Sequence, residues 1–161
     1  MASLEELRAE RIKKLEKLTA LGISSYPSKS SKTHALGEIL TQFDTLLSKE
    51  TIVTVNGRVM TSRGQGAISF IDLYDGTARV QVVIKLPESG EEVMNFYREY
   101  VDTGDFVEVT GTLFITKSGQ QSILVTEVSM LSKALLPLPD KYHGLQDEEL
   151  RMRERYLDIL T

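Results

Sequence analysis

TIVTVNGRVMTSRGQGAISFIDLYDGTARVQVVIK, residues 51–85, holds three runs of strand character joined by a glycine-rich bend and a tight turn. In the third run Ala78, Val80, Val82 and Ile84 alternate with Arg79, Gln81 and Val83; a period of two sends these sets to opposite faces of a sheet, one of them dry. In the second run Ile71 and Leu73 suit the dry face. The same alternation turns Ser69 inward with them and sends Ile68, Phe70 and Asp72 outward. Asp75-Gly76 is the dipeptide that two-residue hairpins favour, because both turn positions need positive φ. It predicts antiparallel neighbours joined by a two-residue turn, with Phe70 and Gln81 on one face. A phenylalanine in isolation is more often a core residue. Held outward beside an amide, with Arg63 and Arg79 nearby in sequence, this one can stack a planar base while its neighbours hydrogen-bond the base edge. Simple alternation from Val59 would turn Arg63 toward the core, so either the bend resets the register or Arg63 does not belong to the group.

Working outward, Ser3 followed by Glu6 is a capping-box signature, and Gly22 supplies a helix stop. Leu4, Leu7, Leu15 and Leu18 fall on one stripe, which predicts a helix over residues 4–21. Its other side carries Arg8, Arg11, Lys13, Lys14 and Lys17 among glutamates, a face that either keeps the helix solvated or lies along a phosphate backbone. A polar loop follows, and LGEILTQFDTLL reads as a short second helix. Beyond residue 85, Glu91 and Glu92 open a helix whose Val93, Phe96, Tyr97, Tyr100 and Val101 share a buried face. Val107, Val109, Leu113 and Ile115 then alternate with polar residues and Phe114 in a fourth strand that bends at Gly111. After a Lys117-Ser118-Gly119 turn, residues 121–132 return as a fifth strand with Leu124, Val128 and Met130 on one side.

With 161 residues the chain has material for one core plus extensions. The absence of cysteine removes disulfides, thiolate nucleophiles and cysteine-based zinc sites, and His34 and His143 are far apart, so no metal is expected. No apolar run reaches the length of a membrane helix and the first ten residues do not read as a signal peptide, which predicts a cytoplasmic chain without a membrane partner. A net charge of -4 argues against indiscriminate nucleic-acid binding, yet residues 51–85 hold Arg58, Arg63, Arg79 and Lys85 against Asp72 and Asp75, enough for a local basic face.

The order of three strands, a helix and two strands fits a mainly β architecture with appended helices: a five-stranded Greek-key barrel of the oligonucleotide/oligosaccharide-binding type (OB-fold), whose second and third strands commonly carry the binding face. An open antiparallel sheet with the helix laid across it fits the same pattern. The expected organisation is a helical extension over 1–50, the barrel over 51–134, and a linker over 135–161 with a terminal helix from about Asp147, leading toward a domain outside this chain.

VNGRVMTSRGQGAISFIDLYD, RIKKLEKLTALGISSYP and above all LLPLPDKYHGLQDEELRMRERYLDIL, which together run through most of the chain, resemble the N-terminal anticodon-binding part of bacterial-type lysyl-tRNA synthetases, members of class II. The resemblance implies an anticodon uridine stacked on Phe70 and hydrogen-bonded by Arg63 and Gln81. It also implies a neighbouring base read at the position of Gln120, where the family often has glutamate. The implied partner is the uridine-rich anticodon loop of lysine tRNA. The full-length family consists of homodimers that join lysine to tRNA with ATP and magnesium in a separate C-terminal domain. None of that machinery is visible in this sequence, so no cofactor and no catalysis are expected of it alone. The competing reading is a free-standing barrel that binds single strands generally or another protein.

Overall fold

In the computed structural model, residues 2–139, 145 and 147–160 are described. Part of the LPDKYHGL run, with His143 in it, lies outside the described residues. The elements are helices α1 (Leu4–Ala20), α2 (Leu36–Thr41) and α3 (Phe43–Ser48), strands β1 (Ile52–Gln65), β2 (Ile68–Tyr74) and β3 (Arg79–Lys85), helix α4 (Glu91–Tyr100), strands β4 (Phe106–Ile115) and β5 (Gln121–Ser132), and helices α5 (Glu148–Arg153) and α6 (Arg155–Leu160). The strands close a barrel in the order β1-β2-β3-β5-β4. All neighbours are antiparallel except β3 and β5, which run parallel and pair Gln81 with Ser122, Val82 with Ile123 and Val83 with Leu124. These three pairs join the two strands that would otherwise be the open edges of the sheet.

The dry face predicted for β2 and β3 is the barrel interior: Ile71, Leu73, Val80, Val82 and Ile84 are all buried. Leu18, Leu36, Ile39, Phe43 and Leu46, from the helices before the barrel, belong to the same core cluster: α2 packs on β1 and β3, α3 on β4, and α1 against α4. The second-helix reading of LGEILTQFDTLL resolves into two short helices, α2 and α3, meeting at Gln42. The N-terminus of α2 is closed from a distance, since the Asp75 carboxylate accepts from the Leu36 amide at 2.8 Å.

Four local expectations are corrected. Tyr74 pairs with Arg79, so four residues rather than two connect β2 to β3. The turn is held by Asp75, which accepts from the amides of Thr77 and Ala78 and the Thr77 hydroxyl, with Gly76 at φ 91°. In β5 it is Ile123 and Val125 that point inward, not Leu124. The register against β4 slips between Thr110 and Gly111, so the parity flips before Met130 turns inward. Gly111 sits at that slip, where a Cβ would fall 2.0 Å from the Leu124 carbonyl oxygen; only a glycine lets the two strands approach this closely. Ile115, expected inside, is exposed because β4 has run past the end of the core.

Helix α1 carries the fourth correction. Leu18 is buried, but Leu4 and Leu7 are exposed, while Arg11, expected on the polar side, is buried. Its guanidinium donates to the carbonyls of Ala134, Leu136 and Thr103 at 3.0–3.1 Å. Three orphan carbonyls thus find donors, and the first helix is tied to the segment leaving β5. Beside it Lys133, fully buried, bridges Asp102 and the fully buried Asp105 at 2.6 Å each, and Lys14 reaches Asp102 at 2.6 Å. At the other end of the chain Asp147 caps α5 through the amides of Glu149 and Leu150, and α5 and α6 expose Met152, Tyr156 and Ile159.

Lys133→Met should cost about 3–5 kcal/mol in urea denaturation, because it strands the buried Asp105 carboxylate without a countercharge. Burial raises the Asp102 pKa, but hydrogen bonds from Lys133 and Lys14 outweigh it and the net shift is downward. Its contribution is therefore complete above the ordinary carboxylate range near ~4 and is lost as pH falls through the lower folded value. The urea midpoint should drop with acid in that window, and less steeply in Asp102→Asn.

Candidate nucleic-acid interface

The site begins with a bulge. Val59 pairs with Leu73 but Thr61 pairs with Asp72, so Met60 is an extra residue in β1 and the side-chain parity reverses beyond it. Thr61 now shares the outer face with Asp72, its hydroxyl donating to the carboxylate at 2.7 Å, and Arg63 comes to lie opposite Phe70. The reset occurs at Met60, before the glycines. Gly64 has a different task, since a Cβ there would meet the Ser69 hydroxyl at 2.8 Å. The Arg98 guanidinium of α4 donates to the Gly66 carbonyl and anchors the bend.

On the outer face of β2 and β3, Phe70 is half-buried and pairs with Val83, while Gln81 pairs with Asp72. The ring and the amide are diagonal neighbours on adjacent strands. Together with Arg63, Ile68, Val83 and Lys85 they line one side of an open groove of 690 Å³, whose other wall is Phe114 through Ser118 at the tip of the β4–β5 hairpin. That hairpin is braced at its base: Thr116 and Gln120 pair through their backbones at 2.9 Å, the Gln120 amide donates to the Thr116 hydroxyl at 3.0 Å, and Gly119 turns at φ 87°.

The groove is apolar at its floor and cationic at its rim. Arg63, Lys85 and Lys117 line it and no carboxylate does. Lys85 is loosely engaged with Glu88 at 3.7 Å, whereas Arg63 and Lys117 have no hydrogen-bond or ion-pair partner among the described residues. Apolar ring faces flanked by cationic side chains suit a flat, uncharged heterocycle carried on a phosphate chain. No three acidic, histidine or cysteine side chains among the described residues are grouped to hold a metal.

Arg63, Phe70 and Gln81 are thus brought into one groove. Arg79 is not among its lining residues: it stands at the start of β3 with its guanidinium 5.6 Å from the Tyr74 ring centroid. Gln120 is exposed at the base of the hairpin turn, outside the lining. Phe114 and Lys117 escaped sequence reasoning. Phe114 is the outward residue of a strand called from its inward ones, and only the closed barrel shows that the hairpin tip overhangs Phe70.

A five-stranded closed barrel with its groove across β2, β3 and the β4–β5 hairpin defines a class, and residues 53–131 match the model of the OB-fold nucleic acid binding domain. Its curated relatives are more particular. It is 41% identical over 159 residues to a lysine–tRNA ligase of Roseiflexus castenholzii, 42% over 164 residues to one of Dehalococcoides mccartyi, and 38% over 162 residues to one of Thermotoga maritima, in each case across 98% of this chain and 32% of the relative. The chain therefore spans about a third of the length of these relatives and corresponds to their N-terminal, anticodon-binding OB-fold region. No helix among the described residues is long and apolar enough to cross a membrane.

Proposed function

We propose that the groove holds an unpaired base of the anticodon loop of lysine tRNA, and that the chain is the anticodon-reading part of a lysine–tRNA ligase. The reading rests on one observation: a half-exposed ring, Phe70, shares an open groove with a guanidinium that has no partner among the described residues and with an amide, under a cationic rim. The name carried by the relatives directs the proposal to lysine tRNA. A loop base leaves its stack and settles on Phe70, which replaces the lost base stacking with ring stacking. Arg63 and Gln81 meet the base edge, Arg63 with donors only. Lys85 and Lys117 face the flanking phosphates. A uridine-rich loop suits such a site, because uracil stacks weakly and unstacks at little cost. The lysine-activating chemistry, with ATP and magnesium, would belong to the portion of the ligase that this chain does not span, and so would its dimeric assembly.

Titration with the anticodon stem-loop of lysine tRNA tests the reading. The wild-type chain should prefer it over a scrambled loop at equal salt, and Phe70→Ala should lose ~1–3 kcal/mol of binding, the range for one base-aromatic stack. An unchanged isotherm for that variant would remove the assigned role. Lys117→Ala should weaken both loops alike and flatten the dependence of log K on log salt by about 0.7, the increment for one single-strand phosphate contact. Equal affinity for both loops in the wild type would favour a general single-strand binder.

A further inference from the structure

Gln81 and Ser122 are Cα partners across the only parallel seam of the barrel. The Gln81 side-chain nitrogen donates to the Ser122 hydroxyl at 3.0 Å, and that hydroxyl donates to the Gln120 carbonyl at 3.3 Å. The direction of this relay is fixed by proton count. A serine has one hydroxyl proton, and an oxygen facing the Gln120 carbonyl is favourable only with that proton between them. The Ser122 oxygen must then accept, so it is the amide nitrogen of Gln81 that turns toward the seam. The amide oxygen is left toward the groove, where it accepts from no described residue. Ser122 itself is fully buried and does not line the groove, so it can act on a ligand only through Gln81.

We infer that Ser122 is the positioning residue that sets which edge of a base the groove accepts. The inference rests on the reading of the groove as a base site. With Gln81 locked as an acceptor and Arg63 able only to donate, the pair complements a keto–imino edge, which offers a carbonyl oxygen beside an N–H. Uracil has this edge. Cytosine, the same size and equally able to stack, presents the reverse, an amino group beside a bare ring nitrogen, and sets acceptor against acceptor. Without the seryl oxygen the amide is free to turn over and offer its NH2 group, and the discrimination lapses while the stack on Phe70 remains.

The experiment compares two anticodon stem-loops that differ only by uracil or cytosine at the base held on Phe70, titrated at one salt concentration against the full chain, Ser122→Ala and Gln81→Glu. The wild type should favour the uracil loop on the order of tenfold, the scale of one well-made base-edge contact. In Ser122→Ala that ratio should fall toward one, by weaker uracil binding and stronger cytosine binding, with the loss caused by Phe70→Ala undiminished. Gln81→Glu, at a half-exposed position that does not test the core, should bind both loops less tightly but keep the uracil preference, because a carboxylate only accepts. Equal loss on both loops in Ser122→Ala, or a cytosine preference in Gln81→Glu, overturns the inference while Phe70-dependent binding leaves the base-site reading standing. If binding of neither loop depends on Phe70, that reading falls and the inference falls with it.

Discussion

Three residue pairs across the β3–β5 seam hold the molecule in the shape everything else uses. Antiparallel pairing alone would give a curled five-stranded sheet with two open edges; the parallel contact of residues 81–83 with 122–124 joins those edges. The same contact carries Val82 and Ile123 into the core, lifts the β4–β5 hairpin over β2 and β3, and sets Gln81 against Ser122. Barrel closure and site assembly are one event. A parallel seam needs a long crossover, here the segment containing α4 and β4.

The groove also depends on irregularity. A uniform β1 would have turned Arg63 into the core and left Phe70 with a smaller neighbour. One inserted residue, Met60, exchanges the two faces for the remainder of the strand at the cost of one interrupted step in the ladder. The second slip, beside Gly111, does the same service for β5, allowing Ile123 and Val125 to fill one level of the core and Met130 another. In both places a local fault in pairing lets a strand serve two environments along its length.

What the sequence disclosed follows from the range of the forces involved. Alternation in β2 and β3 is a property of neighbouring residues, so the outward turn of Phe70 and Gln81, the inward turn of Ile71 and Val82, and the OB-type strand order were all legible. A bulge leaves almost no trace in composition, which is why the side of Arg63 was undecidable and Leu124 was sent to the wrong one. Arg11 sits among lysines and arginines that do face water, and nothing nearby announces that its acceptors are carbonyls at positions 103, 134 and 136. Ser122 and Lys117 were invisible for the same reason: their meaning lies in contacts across the barrel.

Those carbonyls on Arg11 have a mechanical meaning. The backbone that leaves the last strand is gripped, within four residues, by a side chain from the first helix and by a lysine seated between two aspartates at the foot of β4. The heading of the departing polypeptide is thereby set by a collar built from both ends of the fold, and is not left to the swing of a lone strand terminus. The stretch from Ala134 to Leu136 thus takes its bearing relative to the groove from residue 11.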